Sequence, residues 1–130
     1  MMKTAHKKLT AALAIILAAV AIISIYRHNK YAFTVEKWHS LNFNERQYLA
    51  EDFIRQYGEK DLSKDEITDM LGQDNYTDGY YNPQKTDDNL AYNFGAKNGI
   101  NSFYPGNVIL VVEFDENDIA ISYNIVYHSW

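Results

Sequence analysis

The sequence predicts an α+β protein: an N-terminal transmembrane or signal helix, then two short helices packed on a three-stranded antiparallel sheet. Three observations lead there. An uncharged apolar run near the N-terminus is long enough to cross a bilayer. Two later segments carry helix caps and apolar residues at helical spacing. Two strand-like runs near the C-terminus, the second nearly alternating, flank a four-residue polar turn.

Leu9 to Ile25 contains nine Leu, Ile or Val and six Ala, with only Thr10 and Ser24 polar, and Tyr26 closes an apolar run over 9–26. At about 1.5 Å per residue its eighteen residues span about 27 Å, within the range of transmembrane helices. Nine branched aliphatics supply on the order of −4 kcal/mol toward insertion. Lys3, Lys7 and Lys8 precede the run, which places the N-terminus in the cytoplasm and the rest of the chain across a single-pass membrane segment; Arg27 and Lys30 weaken that asymmetry. Residues 1–30 are therefore read as a membrane anchor or signal segment, and 31–130 as an exported domain. Two fates stay open for the anchor: retention as a signal-anchor, or cleavage with Ala19 and Ala21 as an A-x-A site. The run exceeds the usual ~7–15-residue signal core, which favours retention. Tyr26, Tyr31, Phe33 and Trp38 suit a headgroup belt, unless Phe33 and Trp38 instead begin the core. Arg27 to about Ala32 is expected to be a short linker.

In the domain, Asn44 with Gln47 three residues later has the pattern of a capping box, and Gly58 ends the helix. Leu49, Phe53, Ile54 and Tyr57 form its apolar stripe. Ser63 with Glu66 opens a second, shorter helix that turns Ile67, Met70 and Leu71 inward and stops at Gly72. From Gln73 to Asn89 periodicity gives way to Asp, Asn, Gly and Pro, the composition of a loop. Leu90 to Gly95 reads as a first strand. Val108–Phe114 and Ile119–Tyr127 follow as a hairpin about Asp115 to Asp118, with Ile119, Ile121, Tyr123, Ile125 and Tyr127 sharing a face of the second. Helices followed by strands place the helices on one face of an antiparallel sheet.

The segments Met70-Leu71-Gly72, Tyr92-Asn93-Phe94-Gly95 and Leu110 to Asn117 resemble the small envelope domains of the SmpA/OmlA (BamE-like) type, whose fold is shared by the halves of beta-lactamase inhibitor protein. The resemblance runs from about Asn44 to Tyr127. It implies two helices on a three-stranded antiparallel sheet and a role in protein–protein contact within the envelope. The chain departs from that pattern at Gln73-Asp74, where a proline commonly follows the Leu-Gly, at Asp118 in place of a turn glycine, and in having no lipobox cysteine.

Composition narrows the chemistry. Without cysteine there is no thiol nucleophile, thiolate zinc site or disulfide. Residues 31–130 carry seven Lys or Arg against seventeen acids, a net charge of −10, which repels nucleic acid. His6, His28, His39 and His128 lack metal-ligand spacing, and no serine sits in a nucleophile elbow. The carboxylates at Asp115, Glu116 and Asp118, and those at Asp74 and Asp78, are read as solvated turn residues rather than a calcium site. Tyrosine is more informative. Tyr76, Tyr80, Tyr81 and Tyr104 fall in loop sequence, where large amphipathic rings suit recognition or else fold back as peripheral core.

The expected protein is a membrane-tethered envelope protein–protein interaction module without catalytic activity or cofactor. Its expected partners are the membrane, through the N-terminal helix, and another envelope protein, through the four tyrosines. The alternative is a membrane-tethered small-ligand or cation-sensing domain.

Overall fold

A computed structural model describes residues 2–74, 84–96 and 106–129. The chain divides into two compact units, Met1–Ala32 and Phe33–Trp130. The first is a single helix, α1 (Met2–Tyr31). It is long and apolar enough to cross a membrane, and none of its apolar window is buried in the protein. The expected linker from Arg27 is instead helical as far as Tyr31. Nothing in Tyr26–Tyr31 breaks a helix: it contains neither proline nor glycine, so the turns begun in the apolar run continue.

The second unit holds three helices, α2 (Val35–Ser40), α3 (Arg46–Tyr57) and α4 (Lys64–Leu71), and three strands, β1 (Asn89–Asn93), β2 (Gly106–Phe114) and β3 (Ala120–Ser129). The strands form an antiparallel sheet in the order β1-β2-β3. The α+β architecture is as the sequence predicts, with one further helix. At six residues α2 is too short to show an apolar period, but Thr34 caps it, its Oγ1 accepting the Lys37 N–H at 3.1 Å.

The capping box of α4 forms in both directions: Glu66 N–H donates to Ser63 Oγ at 3.1 Å and Ser63 N–H to Glu66 Oε1 at 3.2 Å. Gly72 closes the helix at φ +82°, a conformation that disfavours any side chain. The box expected at Asn44 and Gln47 does not form. α3 begins after Glu45 without a side-chain cap, and Asn42 Oδ1 accepts the Glu45 N–H at 3.0 Å instead. Asn44 Nδ2 donates across the fold to the Phe94 and Ala96 carbonyls, at 3.0 and 2.8 Å, and Gln47 Nε2 donates to the Asn44 carbonyl at 2.7 Å. A tertiary partner has displaced the local one.

The core lies between α2–α4 and the sheet. Trp38, Leu49, Phe53, Ile67, Leu110 and Val112 are fully buried, with Phe33 and Phe94 nearly so. Phe33 and Trp38 thus open the core and are not headgroup residues. Their rings meet edge-on at 6.0 Å, Phe33 meets Phe53 at 5.0 Å, and Trp38 meets Tyr92 and Phe94 at 6.1 and 5.7 Å, geometries favoured by the ring quadrupole. Residues on both faces of the sheet are buried. All of β1 and Val108 to Val112 are buried, and Ala91, Ile109 and Val111 form a second cluster against which Val126 packs. The uninterrupted Val-Ile-Leu-Val-Val run therefore fits β2 at the centre of the sheet.

The hairpin turn is held by Asp115, whose Oδ1 accepts the N–H groups of Asn117 and Ile119 at 2.8 and 3.0 Å. Asp118 adopts φ +58°, a left-handed conformation that aspartate tolerates better than most residues.

Phe33 begins the second unit under tight restraint. Its N–H donates to Asp52 Oδ2 at 2.6 Å, and its carbonyl accepts from Gln56 Nε2 at 3.1 Å. Burial opposes the Asp52 charge. The hydrogen bonds from Phe33, Gln56 and Arg55, with the Arg55 charge, outweigh that and hold the carboxyl below its ordinary range. A depressed carboxyl pKa stabilises the fold above the unfolded value of 3.8 and loses that contribution as pH falls through the lower, folded value. Asp52→Asn should therefore lower the urea midpoint at neutral pH, and the difference from the parent should close as the medium is acidified below that value.

Trp38 is the second point of leverage, its indole N–H donating to the buried Leu71 carbonyl at 2.8 Å. Trp38→Phe leaves that carbonyl without its donor and opens a void, and should cost about 2–4 kcal/mol in denaturant unfolding.

Candidate binding surface

Tyr76, Tyr80, Tyr81 and Tyr104 lie outside the described residues. The residues that bracket the first three are described, and they form a closed base. Asp74 precedes the segment and Lys85 follows it. Asp74 Oδ2 accepts from Lys85 Nζ at 2.9 Å, with both side chains largely buried. The same oxygen accepts the Ala91 N–H at 3.1 Å.

That second bond explains why an aspartate stands there. Ala91 is on β1, at the edge of the sheet, and its N–H has no strand to meet on that side among the described residues. A buried backbone donor needs a partner, and Asp74 supplies one. Lys85 in turn compensates the carboxylate and donates to the Asn89 carbonyl. Asn89, itself buried, accepts the Thr86 N–H at 2.9 Å and donates to the Gln84 carbonyl at 2.7 Å. Asp74 is thus not the solvated turn residue that its polar surroundings suggest. An isolated acid in a polar run carries no local mark of such a role, since its partners lie 11 and 17 residues away.

The neighbouring Tyr92 hydroxyl donates to the Gly72 carbonyl at 2.9 Å, so the start of this segment is tied to β1 as well. Burial, aided by the Asp74 charge, raises the Tyr92 pKa far above the usual phenol value and keeps this donor protonated. Burial and then the Glu66 charge likewise raise that of Tyr123.

A smaller feature lies at the start of α3. Arg46 stacks its guanidinium between Trp38 and Phe43, 5.5 Å from each ring centroid, and Phe43 is exposed. Its Nε has no hydrogen-bond partner among the described residues, and burial lowers its pKa. Among the described residues no group of three His, Asp or Glu side chains is placed to hold a metal ion. No protein-family description, curated protein or solved structure matches this chain.

The base of the segment can be tested without its tyrosines. Asp74→Ala should accelerate hydrogen exchange at the Ala91 amide. Lys85→Met should cost about 1–3 kcal/mol in unfolding. The two substitutions combined should cost less than their sum, because each removes the same ion pair.

Proposed function

We propose that the chain is a membrane-tethered interaction module of a cell envelope, without catalytic activity. In this reading α1 stays in the bilayer with its N-terminus in the cytoplasm. The acidic domain stands on the opposite side and meets another envelope protein through the tyrosine-bearing segment that Asp74 and Lys85 close.

The observation that carries this reading is α1. A 30-residue helix is about 45 Å long and exposes Leu13, Ile16, Leu17, Val20 and Ile23 in one stretch. Exposed apolar surface on that scale is costly in water and favourable in lipid. Orientation rests on the three lysines before the run, partner contact on the loop tyrosines, and a basic partner face on the domain charge of −10. The resemblance to SmpA/OmlA domains supports the same role. It implies helices before a three-stranded antiparallel sheet, and this chain has that order.

The test is mass spectrometry on membranes from cells producing the protein. After alkaline washing, the chain should remain in the membrane with its N-terminus at Met1. Recovery in the soluble fraction with a new N-terminus near Ile22 would remove the tether from this reading. A photoreactive residue at Tyr76 or Tyr81 should then cross-link one envelope protein, and a control at exposed Glu51 should not.

A further inference from the structure

The cations of α1 stand where the helix's own field does not account for them. Residues 1–30 carry Lys3, Lys7, Lys8, Arg27 and Lys30 and no acid. The N-terminal end of a helix has a partial positive charge of about half a unit and favours acids. The first turn of α1 has none, and Lys3, Lys7 and Lys8 crowd that end instead. These three and Arg27 are exposed, and no carboxylate pairs with them among the described residues. Lys30 lies over the Tyr31 ring, 5.3 Å from its centroid. The rule that places cations on the cytoplasmic side explains one end of a single span. Cations at both ends call for a partner present in both leaflets.

Spacing names the partner. Arg27 follows Lys8 by nineteen residues, and the stretch between them holds no charge. In a helix that is about 28 Å, close to the ~30 Å thickness of a hydrocarbon core. With the apolar stretch in the acyl layer, Lys8 and Arg27 come to the two headgroup layers, and exposed Tyr26 beside Arg27 suits the same depth. We propose that α1 selects anionic phospholipids, whose phosphates are bound by Lys3, Lys7 and Lys8 at one end and Arg27 at the other. The inference rests on the reading of α1 as a membrane tether. Arginine's planar fork matches phosphate oxygens, and lysine binds them as a point charge. Net headgroup charge decides the selection. A zwitterionic lipid brings a cation of its own, and residues 1–30 offer no carboxylate to receive it.

The test uses the full chain reconstituted in phosphatidylcholine vesicles, washed at alkaline pH, with a trace of spin-labelled phosphatidylglycerol or spin-labelled phosphatidylcholine. The lipid immobilised at the protein is read by electron paramagnetic resonance. Each cation at an anionic headgroup is worth about a fivefold preference, so phosphatidylglycerol should be favoured by at least that factor at low salt. The preference should fall toward parity at about 1 M salt, where screening acts within about 3 Å. Arg27→Gln should lower it, the three lysines changed together to Gln should lower it further, and all four changes should abolish it. Both leaflets of these vesicles are alike, so a change of orientation in the lysine variant does not alter the reading. A chain that survives the wash but holds both lipids equally overturns the selection and leaves the tether standing. A chain released by the wash overturns the tether, and this inference with it. A preference removed by inorganic phosphate but not by chloride of equal ionic strength assigns the cations to free phosphate and overturns the lipid site.

Discussion

The packing of the domain depends on how the end of α4 is satisfied. A helix leaves its last carbonyls without internal donors, and burying them requires donors from elsewhere. Three consecutive carbonyls here each receive one: Met70 from His39 Nε2, Leu71 from Trp38 Nε1 and Gly72 from the Tyr92 hydroxyl. Two of those side chains come from α2 and one from β1. The end of α4 is thereby joined to a helix more than thirty residues earlier and to the first strand. Trp38 is the centre of this arrangement, since its ring also touches Phe33, Tyr92 and Phe94 and carries Arg46 on one side.

A second restraint acts where the domain begins. The peptide groups of Phe33 are held by Asp52 and Gln56, one turn apart on α3, while the ring sits among Trp38, Phe53 and Tyr57. Backbone and side chain are thus restrained together. The second unit thus begins at this residue.

The sheet follows from the same economy of donors and acceptors. β2 is central and buried on both faces. β1, at one edge, borrows a carboxylate to satisfy an amide that a further strand would otherwise take. β3 receives a short bridge from the approach to α4. The β1 edge is thus finished by side chains.

Much of this was legible in the residues. α1 declares itself by an uncharged apolar run, α4 by Ser63, Glu66 and Gly72, and the hairpin by an apolar run and an alternating one about Asp115 to Asp118. These are features whose partners lie within a few positions of each other. The expected Asn44 cap failed because Phe94 and Ala96 offered carbonyls to the Asn44 amide fifty residues on, and no local rule ranks those partners. α2 escaped notice because six residues show no period. The four tyrosines named from the sequence lie outside the described residues, and the pair that brackets three of them was not foreseen. Asp74 and Lys85 carry no local motif, and their roles exist only once β1 has presented the Ala91 amide. The sequence by itself thus determined the apolar helix, the capped helix and the strand pairing, because short-range hydrogen bonding and side-chain period suffice for each. Tertiary structure alone decided what Trp38, Asn44 and Asp74 do, because a buried polar group takes whichever partner the assembled fold brings within reach.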